Sequence, residues 1–151
     1  MKLQGKVAVV TGGARDIGRA VSVKLASEGA KVVVNYFDNE SEANETVKLI
    51  EKAGGEAIAV YADATNLEDI SNLAKATTAA FGAKVDVLVN VAGGLFARKT
   101  IDAVDVDFYN LLMDVNFKSA VFVTQAFKPL MGKGASVINF ASQAARDGAG
   151  P

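Results

Sequence analysis

The sequence contains no cysteine and no histidine among its 151 residues. These absences exclude disulfides, thiol nucleophiles, iron–sulfur clusters, metal sites built on Cys or His, and every catalytic triad that uses histidine. Charge of one sign is not in excess either, because 16 Lys and Arg face 17 Asp and Glu, a net charge of −1. Proteins that act on nucleic acid or anionic membranes usually carry a basic surface. We therefore expect no metal site, no nucleic-acid partner and no membrane partner.

Long apolar runs and targeting signals are also absent. No run of about 18 apolar residues occurs, and the N-terminus lacks the apolar segment and small-residue cleavage site of a secretory signal. The sequence therefore predicts a cytoplasmic protein. Its 151 residues, half of them apolar and only two of them proline, fit one folded domain over residues 1–151.

Buried-strand patterns and helical periodicities alternate along the chain. Apolar runs without polar alternation are typical of strands buried on both faces, whereas apolar residues three and four positions apart are typical of helices. Ser41 is placed to cap the second helix and Gly29 to end the first. These patterns predict strands at 7–10, 31–35, 57–62, 85–89 and 136–141, and helices at 17–28, 41–53, 67–81 and 105–130.

This alternation predicts an α/β fold. Strands separated by helices form right-handed parallel crossovers, which give an open, doubly wound parallel sheet with helices on both faces. We expect the strand order 3-2-1-4-5. Ligands of such sheets bind beyond the carboxyl ends of the strands, at the switch point between the first and fourth strands.

A glycine-rich segment, Thr11–Gly18, joins the first strand to the first helix. Glycine at positions 12 and 18 permits a tight turn, and amides at the start of a helix can receive a phosphate. A simple turn is the alternative interpretation. Asp16 has two interpretations: either it caps a helix that begins at Ile17, with its carboxylate turned from the ligand, or its charge lowers the affinity for a phosphate.

This segment and four later ones resemble the short-chain dehydrogenase/reductase family. The glycine loop follows that family's T-G-x-x-x-G-x-G pattern, except that an acid stands where a glycine or alanine is usual. Asp63 after the third strand, the Asn90-Val-Ala-Gly stretch, Asn116 in a helix and Ser142 after the fifth strand match further family motifs in the same order. Val91 departs from the family's second asparagine. Each residue alone also has a structural explanation, as a cap, a loop tie, a helix kink or a strand end.

The resemblance implies an NAD(P)-binding, Rossmann-like domain that lacks the C-terminal strands of the full fold. It also implies an oxidoreductase similar to 3-oxoacyl-carrier-protein reductases, which transfers hydride between a nicotinamide and a small-molecule carbonyl or alcohol. In the family the asparagine holds a water of the proton relay and the serine binds the substrate carbonyl, so Asn116 and Ser142 are the implied catalytic residues. A homo-oligomer, dimer or tetramer, is implied as well. The implied cofactor-binding residues are Gly12, Ala14, Arg15, Asp16, Ile17, Gly18, Asn35, Tyr36, Asp63, Ala64, Asn90, Ala92 and Gly93.

The end of the second strand bears on the choice of cofactor. In dinucleotide folds an acid there binds the ribose 2′-hydroxyl of NAD, but this sequence has Asn35 and Tyr36 instead. Arg15 could pair with a 2′-phosphate through its planar guanidinium, although a solvated loop charge is the alternative. These features predict a preference for NADP(H), with NAD(H) as the alternative. Phe37, where NADP-using relatives often have arginine, and the negative charge of Asp38 count against it.

The tyrosine expected for this chemistry is not found. A reduced carbonyl needs a proton from an acid, which in the family is a tyrosine with a lysine four residues later. None of Tyr36, Tyr61 and Tyr109 has lysine at that spacing. In relatives this tyrosine follows the serine, at a position that falls beyond Pro151. We therefore expect the N-terminal part of a longer protein, with an apolar fifth strand at an open sheet edge, that is unstable and inactive by itself.

Two alternatives stay open at this point. The chain could act as a catalytically inactive nucleotide-binding fragment, or it could belong to a methyltransferase, which also places a glycine loop after its first strand. Tyr36, where a methyltransferase prefers an acid, argues against the latter, as do Asn116 and Ser142. The apolar run of residues 95–97 is either a wall of the substrate site or part of the core.

Overall fold

The computed structural model of the chain describes residues 1–147. Within that range one parallel sheet contains five strands in the order β3-β2-β1-β4-β5, as the sequence predicts. Every adjacent pair of strands is parallel. The strands are β1 Val7–Thr11, β2 Lys31–Tyr36, β3 Glu56–Tyr61, β4 Val87–Asn90 and β5 Ser136–Asn139.

Helices connect the strands, and one helical region is not uniform. The predicted helix over 105–130 is α4, a π-helical turn at Asp114–Lys118, α5 and a 3₁₀ turn at Lys128–Leu130. A further 3₁₀ turn covers Ile101–Ala103. Such π turns are frequent at functional sites. The α-helices are α1 Asp16–Ser27, α2 Glu40–Lys52, α3 Leu67–Phe81, α4 Val106–Met113, α5 Ser119–Phe127 and α6 Ala144–Asp147.

Side-chain caps determine where several helices begin. Asn66 Oδ1 accepts hydrogen bonds from the amides of Glu68 and Asp69 at the start of α3. The prediction that Ser41 caps the second helix is wrong, because Asn39 occupies the cap position and its Oδ1 accepts the Glu42 amide at 3.2 Å. Both residue types are good N-caps, and two neighbouring candidates cannot be separated by type alone.

The sheet separates two apolar layers. On one face, Val10 and Val34 pack with Ala26 of α1 and Ile50 of α2 in a single buried cluster. On the other face, Val9 and Val33 pack with residues of α3 and α5, including Leu73 and Phe127. All five residues of β1 are buried, which explains its uninterrupted apolar sequence.

The two edges of the sheet are β3 and β5. All four residues of β5 are exposed, among them Val137 and Ile138, at 41% and 46%. The predicted apolar sheet edge is therefore present within the part of the chain that the structure describes. Over the same residues, no helix has the length and apolar character needed to cross a membrane.

Candidate nucleotide-binding site

A cleft of about 530 Å³ lies at the carboxyl ends of the strands, where the glycine loop meets the loops that follow β2, β3 and β4. Its position is the switch point between β1 and β4, the place where ligands of such sheets bind. The volume falls in the range of about 300–1,000 Å³ that small-molecule sites occupy. Of the predicted site residues, the cleft is lined by Gly12, Ala14, Arg15, Asp16, Ile17, Gly18, Asn35, Tyr36, Asp63, Ala64, Ala92 and Gly93.

The glycine loop is built so tightly that side chains are excluded at two positions. A Cβ at Gly18 would stand 1.9 Å from the carbonyl oxygen of Gly12. Gly12 itself has a φ of +61°, and a Cβ there would lie 3.1 Å from the backbone of Ala92. The loop therefore brings β1, the start of α1 and the loop after β4 into direct contact. The start of α1 faces this cleft, and the first amides of a helix favour an anion.

Asp16 does not cap the first helix, so the predicted capping role is wrong. Arg15 is the residue before α1, no side chain caps the helix, and Asp16 is its first residue. The backbone of Asp16 has a φ of +49°, in the left-handed region that favours glycine. This conformation explains why the family pattern has glycine here. The Asp16 side chain is 87% exposed.

Arg15 stands between two carboxylates at the edge of the cleft. Its Nη2 lies 3.5 Å from Asp38 Oδ2, and its Nε lies 3.9 Å from Asp16 Oδ2. Its side chain is 55% exposed, so both ion pairs are screened by water and weak. An anionic ligand could compete with them for the guanidinium.

Asn35 joins the glycine loop to two strands. Its Oδ1 accepts the Gly12 amide at 3.2 Å, and its Nδ2 donates to the Ala62 carbonyl at 3.0 Å. The neighbouring Tyr36 packs edge-on against Tyr61, with ring centroids 5.9 Å apart. Burial, together with the negative charge of Glu40, raises the pKa of the Tyr36 phenol, so it stays neutral.

Asp63 shapes the loop that follows β3. Its Oδ1 accepts hydrogen bonds from the amide and the hydroxyl of Thr65, both at 2.8 Å. Its own amide donates to Asp69 Oδ2 at 2.9 Å. This arrangement holds Asp63 and Ala64 at the wall of the cleft.

The loop after β4 is tied to the end of β1. Thr11 Oγ1 accepts the amides of Val91 and Ala92 at 3.1 and 3.2 Å. Asn90 itself does not line the cleft: its Nδ2 donates to Asn139 Oδ1 and Thr124 Oγ1, which joins β4 to β5 and α5. The Oδ1 of Asn90 is buried and has no hydrogen-bond partner among the described residues.

The two predicted catalytic residues lie outside the cleft lining. Asn116 sits in the π turn, where its Nδ2 donates to the carbonyls of Gly94 and Leu112 and its Oδ1 accepts the Gly94 amide. It thereby fixes the loop after β4 against the α4–α5 region. Ser142 is exposed, and its Oγ accepts the Ala144 amide at 3.1 Å.

The structure adds cleft residues that the resemblance does not include among the cofactor-binding residues. Phe96 is 59% exposed and has a φ of +60°, a strained conformation for an aromatic residue. Leu111 and Val115 lie one helical turn apart beside it, a spacing the sequence does show. The apolar run of residues 95–97 is therefore not core. The added lining residues are Phe37, Asp38, Asn39, Ala62, Thr65, Val91, Phe96, Leu111 and Val115.

Known proteins share this arrangement of loops and strands. The family described as short chain dehydrogenase matches residues 6–150. The chain belongs to the short-chain dehydrogenase family. An uncharacterized oxidoreductase of Methylorubrum extorquens is 42% identical over 141 residues, which are 93% of this chain and 56% of that relative. The short-chain dehydrogenase/reductase homolog YusS of Bacillus subtilis is 47% identical over 92 residues, 61% of this chain and 84% of YusS.

Solved short-chain dehydrogenase structures superpose closely on this chain. A short chain dehydrogenase from Burkholderia cenocepacia in complex with NADP has a TM-score of 0.91 at 33% identity, and the match covers 97% of this chain and 59% of that one. The NADH-dependent reductase A1-R′ has a TM-score of 0.90 at 32% identity, with 98% and 63% covered. The chain thus spans a little over half the length of most of these relatives. Family membership excludes the methyltransferase alternative.

Proposed function

We propose that this chain is the NAD(P)-binding domain, over residues 1–151, of a short-chain carbonyl reductase or alcohol dehydrogenase. The observation that carries the proposal is the cleft at the β1/β4 switch point, walled by a glycine loop whose close approach admits no Cβ at Gly18. The nicotinamide, when bound, supplies or accepts the hydride. The described residues bind and orient the dinucleotide.

The cleft residues divide by position into groups that would hold different parts of the dinucleotide. Gly12 and Ala14 of the glycine loop, with Ile17 and Gly18 in the first turn of α1, suit the pyrophosphate, because helix amides favour anions. Asn35 and Tyr36 border the ribose side, and Asp63 and Ala64 the adenine side. The loop with Asn90, Ala92 and Gly93 follows β4 and leads toward the substrate side.

We further propose a preference for NADP(H) over NAD(H). No acid occupies positions 35 and 36, and Arg15 stands at the mouth of the cleft with weak carboxylate partners that a 2′-phosphate could replace. The solved relatives include both an NADP complex and an NADH-dependent reductase, so the proposal rests on Arg15 and on positions 35 and 36. Arg15→Ala should reduce the NADPH-over-NADH affinity ratio about tenfold or more. An unchanged ratio would contradict the proposal.

Asn116 and Ser142 are the proposed catalytic residues of the whole protein. The Asn116 amide oxygen accepts the Gly94 amide, and its second lone pair can accept a water of the proton relay. The Ser142 oxygen accepts the Ala144 amide, while its own proton can be donated to a substrate carbonyl. Both residues act beside a tyrosine acid that the 151 residues do not supply at the expected lysine spacing.

We therefore expect the 151 residues alone to bind nucleotide without catalysing reduction. This expectation corresponds to the alternative of a catalytically inactive nucleotide-binding fragment. Fluorescence titration with NADPH, followed by a steady-state oxidation assay with a small ketone, tests both parts. We expect saturable binding at one site per chain with no turnover. A folded chain that binds neither NADPH nor NADH would overturn the proposed function, and steady NADPH oxidation would overturn the expected inactivity.

We also propose that the protein forms a homo-oligomer through the α4–α5 region. Tyr109, Met113, Phe117 and Val121 follow one another at four-residue spacing and are all exposed. A contiguous apolar strip of this kind is typical of an interaction surface. The cytoplasmic location and the identity of the carbonyl substrate stay predictions.

A further inference from the structure

A cluster of polar side chains that do not line the cleft contacts the glycine loop. Arg19 of α1 points toward α2, and Thr46 of α2 is completely buried. The Arg19 Nε donates to Thr46 Oγ1 at 2.8 Å and to the Ala14 carbonyl at 3.2 Å. The Thr46 hydroxyl donates to the same Ala14 carbonyl at 2.6 Å. Two donors, one from α1 and one from α2, therefore meet at one carbonyl oxygen of the loop.

The guanidinium of Arg19 extends this cluster to the first turns of α2. Its Nη2 donates to the Glu42 carbonyl at 3.2 Å, and it pairs with the carboxylates of Glu42 and Glu45, the latter at 3.0 Å. The Arg19 side chain is 25% exposed, so these contacts are less screened than those of Arg15. The same guanidinium thus holds both the glycine loop and α2.

This placement matters because α2 begins directly after another wall of the cleft. Asn39 caps α2, and it lines the cleft together with Phe37 and Asp38. A movement of α2 relative to the glycine loop would therefore change the distance between Ala14, on the phosphate side of the cleft, and Asp38, on the ribose side. The Ala14 carbonyl and the Arg15 amide belong to the same planar peptide group. The orientation of the carbonyl therefore also sets the orientation of the Arg15 amide at the cleft.

We propose that Arg19 and Thr46 are positioning residues, a latch that fixes the glycine loop against α2 and thereby sets the affinity for the dinucleotide. This inference rests on the proposed function for its binding readout. Neither side chain lines the cleft. Their effect is exerted through the Ala14 carbonyl.

Three threonine variants separate the latch from a general structural role. Thr46→Val keeps the shape and removes the hydroxyl, whereas Thr46→Ser keeps the hydroxyl and removes a buried methyl. Thr77→Val in α3 is the matched control, because Thr77 is equally buried and its hydroxyl donates to the Leu73 carbonyl at 2.8 Å, far from the loop. NADPH affinity is measured by fluorescence titration, and the unfolding midpoint by thermal melting.

If Arg19 and Thr46 form the latch, NADPH affinity should depend on the presence of the Thr46 hydroxyl and not on the stability of the chain. Thr46→Val should weaken NADPH binding about tenfold, Thr46→Ser should stay within about twofold of the unmodified chain, and Thr77→Val should lower the melting temperature without changing affinity. Arg19→Lys, which keeps the charge and loses the planar fork, should behave like Thr46→Val. Equal losses in Thr46→Val and Thr46→Ser, or losses that track melting temperature across the set, would overturn the latch.

A second readout needs no nucleotide. Hydrogen exchange of the amides in residues 12–18 should become about tenfold faster in Thr46→Val and stay unchanged in Thr46→Ser and Thr77→Val. Unchanged exchange in Thr46→Val would contradict the latch. If the unmodified chain binds neither nucleotide, the proposed function fails, and the exchange experiment still decides whether the latch exists.

Discussion

The strands at the centre of the sheet and the edge strand β5 differ sharply in how completely the described chain covers them. The strands β1 and β4 are buried throughout and β2 is buried at four of its six residues, with α1 and α2 packed on one face and α3 and α5 on the other. By contrast, all of β5 is exposed and α4 has no buried residue. The region from 7 to 81 is therefore closed once β4 and α5 cover it, while β5 and α4, in the region from 87 to 139, present apolar surface outward.

This difference in coverage parallels the contributions of the two regions to the lining of the cleft. Most of the lining comes from the loops after β1, β2 and β3, and these are the parts that would hold a dinucleotide. The lining residues on the proposed substrate side, Phe96, Leu111 and Val115, belong to the region from 87 to 139. The proposed nucleotide site thus lies mainly within residues 7–81, and the apolar surface of the second region is available to the proposed second subunit.

The largest expected effect comes from the closed region. Gly18→Ala should weaken NADPH binding at least about a hundredfold, because the new Cβ would stand 1.9 Å from the Gly12 carbonyl oxygen and must displace the loop backbone. Gly132→Ala, at a glycine with nothing within 4 Å and no positive φ, is the control in the second region. Fluorescence titration of both variants measures the difference. Similar NADPH affinities of the two variants would contradict the assignment of the glycine loop to the nucleotide site.

A substitution at Asp86 tests whether the amino ends of the strands, opposite the cleft, affect the stability of the protein without affecting its NADPH affinity. Burial raises the pKa of the Asp86 carboxyl, but hydrogen bonds from Lys84, the Val7 amide and Lys6 outweigh burial and hold that pKa below its ordinary value. Asp86→Asn should therefore lower the free energy of unfolding by about 2 kcal/mol at neutral pH, about thirtyfold in the folding equilibrium. NADPH affinity should not change, because the residue lies at the amino ends of the strands.

The pH dependence of this contribution has a definite sign. A carboxyl whose pKa is lowered by folding contributes stability above its unfolded pKa and loses it as the pH falls through the folded value. The stability difference between the unmodified chain and Asp86→Asn should shrink as the pH is lowered below about 4. Denaturant unfolding from pH 7 to pH 3 measures it. A difference that grows toward acid pH would contradict the assignment.

A substitution on the apolar strip of α4–α5 should affect self-association. Phe117 is 62% exposed, and Phe117→Asp should weaken association of the protein at least about tenfold, because a charge would be buried at the interface. Leu67→Asp, at a comparably exposed residue of the closed region, is the control. Analytical ultracentrifugation measures both. If Leu67→Asp weakens association and Phe117→Asp does not, the strip is not the interface.

The smallest expected effect is a gain. Asp16→Gly removes a left-handed strain and a negative charge beside the proposed phosphate site, so NADPH should bind several-fold more tightly. The melting temperature should stay the same or rise by a few degrees. Weaker binding in Asp16→Gly would show that the carboxylate contributes to the site, contrary to this account.

The sequence predicts the framework of this protein well, because strands buried on both faces and helices with one apolar face have distinct periodicities. The strand order and the switch-point cleft follow from it, whereas the twelve lining residues come from the resemblance to the short-chain dehydrogenase/reductase family. Its failures are local. Asn39 and Ser41 are both good caps, and only the backbone that leaves β2 decides between them. Asp16 is likewise a good cap by type, but it is the first residue of α1 and has a left-handed backbone, so it does not cap the helix.

Contacts between distant segments could not be predicted from the sequence. Two sets of contacts depend on how α1 and α2 pack side by side. One is the ion pair of Arg15 with Asp38, and the other is the pair of hydrogen bonds from Arg19 and Thr46 to the Ala14 carbonyl. Nothing in residue type or spacing indicates these partners, since Lys and Arg on helices are usually solvated. The π turn at Asp114–Lys118 lies inside the single helix predicted over 105–130; a helix kink at Asn116 is one of the alternatives that the sequence leaves open, but residue types do not indicate its π geometry.

Direct titration of the 151-residue chain with NADPH tests the central claim, that residues of the closed region form a dinucleotide site at the switch point. The account predicts saturable binding at one site per chain, and loss of that binding in Gly18→Ala while Gly132→Ala binds normally. A folded chain that fails to bind NADPH or NADH, or one in which Gly18→Ala binds as well as the unmodified chain, would contradict it.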